Sequence, residues 1–190
     1  MLRWHNMHIV NWTRKENTKA RRKKTISKIV PIRPPASERH LLAVDMGLRT
    51  GLAIFGPDGR LISYRSKHFG SLAELRRGVG TILRECPPLG WLWLEGGGDI
   101  AVVWEKHCAY LGIDFRQVQA SDWRKTLMLP RQQVSGEKAK KEAIVMAKRV
   151  IEWSGAPRPK GPLRHDAAEA ILVGVHGAVS VALLDCIPPM

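Results

Sequence analysis

Apolar residues are spread unevenly along this chain. Before residue 40 they are scattered among basic residues without a period, and after it they gather into short runs and helical stripes. "LLAVD" (41–45) is apolar up to its last residue, "TGLAIFG" (50–56) repeats that character, and "GRLISYRSKHF" (59–69) alternates. Three strands are therefore predicted, joined by turn signals at Gly47 to Gly51 and at "GPDG", and connections that short make an antiparallel meander. Leu72, Leu75, Val79, Ile82 and Leu83 fall at helical spacing behind Ser71, a plausible N-cap. "WLWLE" (91–95) reads as a buried strand, "DIAVVWEKHCAYLG" as a helix closed by Gly112, and "IDFRQVQ" (113–119) as a fifth strand. "ASDWRKTLMLP" predicts a short helical turn and loop. Ala139, Ala143, Ala147, Val150 and Ile151 then mark an amphipathic helix with lysines opposite. A last helix starts near His165 and is expected to break or bend near Gly177. The order gives an α/β fold: a mixed five-stranded sheet flanked by helices.

Charge divides the chain where the periodicity begins. Residues 1–40 hold 11 Lys/Arg against two acids, and the rest hold 20 against 15, for a formal total of +14. Residues 1–39 read as a basic, disordered tail, with a DNA-tethering arm or an organelle transit segment as its functional readings. Residues 40–190 form the folded domain. A chain this basic expects a polyanion, most commonly nucleic acid. The three cysteines, Cys86, Cys108 and Cys186, are odd in number and lack metal-ligand spacing, so reduced thiols in a reducing compartment are expected, without structural zinc. "AILVGVHGAVSVALL" (170–184) is too short for a membrane span and contains His176, so no membrane partner is expected.

Candidate chemistry lies in four acids. Asp45 and Glu95 each end an apolar strand and are followed by a glycine-containing turn. A helix between two strands favours a parallel crossover, which would bring both acids to the C-terminal edge of the sheet if the strands are neighbours. Asp166 and Glu169 stand three apart on one helical face. Four converging carboxylates repel one another and resist burial unless a cation compensates, and hard oxygen donors select Mg²⁺ or Mn²⁺. A pair of such ions can hold a phosphodiester, activate water on one side and stabilise the leaving oxygen on the other.

"LLAVDMGLRTGLAIF", "WLWLEGG" and "RHDAAEAILVG" resemble the acidic motifs of the RuvC-like Holliday junction resolvases, of the ribonuclease H-like fold. The match covers roughly residues 40–184, in register with the predicted elements. It implies a crossover junction endodeoxyribonuclease that acts as a homodimer on four-way junction DNA in recombination and repair, leaving 5′-phosphate and 3′-hydroxyl ends. Asp45, Glu95, Asp166 and Glu169 would be catalytic and would ligate two Mg²⁺ ions, with Mn²⁺ as a substitute. No small-molecule substrate is implied. "SDWRKTLMLP" and "GEKAKKEA" resemble the DNA-contacting segment of these proteins, which makes Arg124, Lys125, Lys138 and Lys141 the DNA-binding candidates. Glu169 departs from the usual Asp, and "GGGDI" offers no aromatic wedge; Trp104 is the nearest aromatic residue. The implied location is the cytoplasm (nucleoid) of a bacterial or viral host, or a mitochondrion or chloroplast if residues 1–39 are a transit segment.

Other readings compete. "VDMGLRTGLAIF" also resembles the first phosphate loop of actin-like ATPases, but those folds duplicate the domain and about 145 residues do not hold both halves. A YqgF-type nuclease acting on RNA or other nucleic acid shares the fold and the acid positions. A junction-binding protein without turnover is the third alternative. Each acid taken singly is also compatible with an ordinary loop or helix-start residue, and His165 with a solvated helix start. The lysines suit an exposed helix face, and Trp104 and Trp123 suit core packing as well as base stacking.

Overall fold

The computed structural model describes residues 35–190, so the basic tail lies outside the described residues up to position 34. Strand β1 (His40–Asp45) is followed by β2 (Arg49–Phe55) and β3 (Leu61–His68), and the three pair antiparallel as the short turns require. Helix α1 (Leu72–Glu85) begins at Ser71, whose hydroxyl accepts from the backbone N–H of Glu74. It leads to β4 (Leu89–Glu95), which pairs parallel with β1. Helix α2 (Asp99–Leu111) stops at Gly112 in the left-handed region and leads to β5 (Asp114–Val118), parallel to β4. The sheet order is β3-β2-β1-β4-β5. This mixed five-stranded sheet with flanking helices is the ribonuclease H-like arrangement that the sequence resemblance implied.

Two helical layers cover the sheet. Leu42, Val44, Leu92 and Leu94 face α1 and α2 and pack with Val79, Ile82 and Trp104. The alternate residues Leu41, Ala43, Ala53, Phe55 and Trp93 face α4 (Gly136–Ser154) and α5 (His165–Ser180), packing with Ala143, Val150 and Ile171. Between β5 and α4 lie α3 (Ala120–Leu127), longer than the helical turn expected there, and a 3-10 turn at Pro130–Gln132.

Helix α5 differs from expectation in one respect: it continues through Gly177 to Ser180 without a break. A Cβ at Gly177 would come within 2.8 Å of the Trp93 indole, so the glycine permits close approach of helix to sheet. Among the described residues no helix is long and apolar enough to cross a membrane. Cys86, Cys108 and Cys186 are free.

Candidate active site

Strand registers place one row of residues across the sheet. Ser66 on β3 lies opposite Gly51 on β2, Gly51 opposite Asp45 on β1, Asp45 opposite Glu95 on β4, and Glu95 opposite Val118 on β5. Side chains alternate along a strand, so Asp45 shares the face of Leu41 and Ala43, and Glu95 that of Trp93. That face lies under α5. Both acids are the last residues of parallel neighbours, at the C-terminal edge where α/β sheets place their sites.

The start of α5 closes the row from above. A Cβ on Gly51 would land on the backbone carbonyl of Asp166, so only glycine lets this helix settle so low. Asp166 and Glu169 are buried there, with 1% and 7% exposure. Ser66 Oγ donates to Asp166 Oδ2. Helix α3 approaches from the β5 side, where its Trp123 Nε1 donates to Glu95 Oε2 at 2.6 Å. The next residue, Arg124, donates through Nη2 to Glu169 Oε1 at 2.8 Å, with its guanidinium 5.0 Å from the centre of the Trp123 ring.

Charge within this cluster is under-compensated. Burial is the main reason that the Asp45 carboxyl is pushed up to about 8, reinforced by Glu169, Glu95 and Asp166 and opposed by Arg124. Burial also raises Glu95, as does Glu169, while the Trp123 hydrogen bond and Arg124 act the other way. Asp166 Oδ1 is buried without a hydrogen-bond partner, and the nearest cationic atom, Arg164 Nε, is 3.6 Å away.

A divalent cation suits this donor set, since the uncommitted atoms are hard carboxylate oxygens in a pocket short of positive charge. The acids do not form a ready-made cage. Among the described residues no group of three His, Cys, Asp or Glu side chains is disposed to hold one ion. Glu169 Oε1 is drawn to Arg124, Glu95 Oε2 to Trp123 and Asp166 Oδ2 to Ser66, so one oxygen of each carboxylate is engaged by these contacts.

The predicted DNA contacts divide. Arg124 is turned inward onto Glu169, whereas Lys125, Lys138 and Lys141 are exposed on α3 and α4. Lys141 pairs with Glu137 at 2.8 Å in full view of solvent, a contact worth little. His165 is exposed beside Asp166. Trp104 and Trp123 are both fully buried, so neither presents a ring for stacking. Sequence reasoning gave no role to Ser66, and it missed the Trp123 bond to Glu95 and the pairing of Arg124 with Glu169. Ser66 carries no sequence signal until the hairpin register is known. For the two α3 residues the only hint is their closeness to the end of β5.

No protein-family model matches the chain, and no curated protein matches it in sequence. Among solved structures it is similar to the large terminase nuclease of a thermophilic phage, at 10% identity and TM-score 0.46, covering 75% of this chain and 83% of that one. It is also similar to the yeast mitochondrial Holliday junction resolvase, at 12% identity and TM-score 0.44, covering 76% and 80%. The same terminase nuclease with bound zinc gives 9% identity and TM-score 0.43 over 75% and 82%. Likenesses this remote lie below the level at which a shared activity can be argued, so the functional reading rests on the site.

Proposed function

We propose that the chain is a divalent-metal-dependent, structure-selective DNA endonuclease of the RuvC-like type, cleaving four-way junctions as a homodimer. One observation carries this reading: Asp45, Glu95, Asp166 and Glu169 meet on one face at the C-terminal edge of the parallel strands, with too little positive charge to neutralise them.

Asp45, Glu95, Asp166 and Glu169 would hold two Mg²⁺ or Mn²⁺ ions. Bound there, such ions would lower the pKa of water and stabilise charge on a phosphodiester. Trp123 fixes the Glu95 carboxylate, and Ser66 fixes one oxygen of Asp166, leaving Oδ1 for a ligand. Arg124 pairs with Glu169 and offsets part of its charge. Hydrolysis adds water across the P–O3′ bond, giving a 5′-phosphate and a 3′-hydroxyl. The basic surface of Lys125 and Lys138 supplies phosphate affinity without sequence preference.

The test compares a labelled synthetic four-way junction with matched linear duplex and RNA–DNA hybrid, in Mg²⁺ and in EDTA, using wild type and Asp45→Asn. Paired nicks across the junction that need both metal and Asp45 are expected. Preference for RNA or linear duplex would favour a YqgF-type nuclease, and junction binding without cutting would make the chain a binding protein.

A further inference from the structure

Beside the acids, on the β3 side, the surface opens into a groove of about 380 Å³ that has no counterpart in the sequence pattern. One wall is β3, from Ser63 to Ser66, and the other is the segment 157–164, "PRPKGPLR", which joins α4 to α5. The groove ends at Ser66, Arg164 and Ala167, so its inner end adjoins the Ser66 to Asp166 hydrogen bond.

The 157–164 segment is stiffened and fastened. Pro157, Pro159 and Pro162 each fix a backbone φ, which lowers the entropy lost on ordering the chain. The Tyr64 hydroxyl donates to the carbonyl of Pro157 at 2.8 Å, and Leu163 is buried in the core. Cations are set between the prolines. Lys160 is exposed and has no acidic partner among the described residues. Arg158 is 84% exposed and reaches Glu152 only at 3.6 Å, across solvent that screens the pair. Arg65 of β3 turns its side chain to the other face of the sheet, where it donates to Glu85 at 3.1 Å, so the cations of the groove are those of the 157–164 segment. Stiff segments that hold under-neutralised cations over a groove are preorganised for a polyanion.

We propose that this groove holds the unpaired DNA strand adjoining the scissile phosphate, with Arg158 and Lys160 taking successive phosphates and the Ser63 and Ser66 edge lining the track. The proposal rests on the nuclease reading of the acidic site and extends it to a strand path distinct from the lysines of α3 and α4. Its volume is near the lower end of small-ligand sites, at about 300 Å³, which is room for a short stretch of one strand.

Binding can be measured apart from cleavage, by fluorescence anisotropy in EDTA with labelled oligothymidylate and with a duplex of equal length. The proteins are full-length wild type, Arg158→Ala/Lys160→Ala, and the control Arg77→Ala/Lys106→Ala, which removes the same charge from exposed positions on α1 and α2. The groove variant is expected to bind oligothymidylate about tenfold more weakly than the control does. Its salt dependence should be shallower by about 1.4 log units per log unit, at about 0.7 for each phosphate no longer neutralised. Duplex affinity should fall no further than in the control. Equal weakening in both variants, or a groove variant that loses duplex rather than single-strand binding, would overturn the proposal. If wild type binds no DNA the nuclease reading fails with it, whereas junction cleavage that survives intact in a groove variant with unchanged single-strand binding removes the strand path alone.

Discussion

The two faces of the sheet use the same alternation of residues and end differently. Under α1 and α2, Leu42, Val44, Leu92 and Leu94 meet Ile82 and Trp104 in a core that is apolar to its rim. Under α5, the row Leu41, Ala43 and Trp93 begins the same way and finishes in Asp45 and Glu95. One face is held by packing, with the Trp104 indole N–H buried and unpaired, and the other requires hydrogen bonds and a counter-charge from Trp123, Arg124 and Ser66. The difference separates what stabilises the fold from what stresses it. Charge-bearing residues held buried against their solvation cost mark a functional site better than the residues of a well-packed core.

Substitutions should break the two faces in different ways. The largest loss of stability is expected on the apolar side: Trp104→Ala should cost about 3–5 kcal/mol in denaturant unfolding, because it empties a fully buried position. On the acidic side, Gly51→Ala should cost about 1–3 kcal/mol by forcing α5 off β2. It should also remove most nuclease activity, since Asp166 moves with the helix. Trp123→Phe keeps an aromatic ring but deletes the donor to Glu95, and a bond to a charged group is worth about 1.5–3 kcal/mol. Its effect on cleavage should exceed that of any equally destabilising change under α1 and α2. At the small end, Lys141→Ala should alter stability by no more than about 0.5 kcal/mol.

pH sharpens the same contrast. Asp45 titrates near 3.8 when unfolded and at about 8 when folded without metal, so between those values the folded state holds a proton that the unfolded state has lost. Stability from this group therefore falls as pH rises from about 4 to about 8 and levels off above that. In EDTA, the advantage of Asp45→Asn over wild type in urea midpoint should grow between pH 5 and pH 8. Substitutions confined to the α1–α2 face should shift the midpoint by a constant amount over that interval.

Much of this was legible in the sequence because it depends on local period and strand ends. Apolar runs located β1, β2 and β4, helical spacing located α1 and α4, and a glycine marked the end of α2. The four acids group together on sequence pattern alone because each closes a strand or opens a helix. The partners of those acids depend on register and on the docking of separate elements. Ser66 reaches Asp166 one hundred residues away, and Trp123 and Arg124 act through a helix that reads in sequence as little more than a turn. The Gly177 expectation failed for a related reason: glycine in a helix reads locally as a weak point, whereas here it admits the indole of Trp93.

The central claim is that the carboxylate cluster exists to bind divalent cations. Its most direct test is the thermal midpoint of wild type, Asp45→Asn and Asp166→Asn in EDTA and in increasing Mg²⁺ or Mn²⁺, because a ligand that binds only the folded state raises that midpoint with concentration. Wild type should gain stability with either metal, and both variants should lose most of that gain. A wild-type midpoint that ignores both metals, or the same rise in all three proteins, would contradict the account.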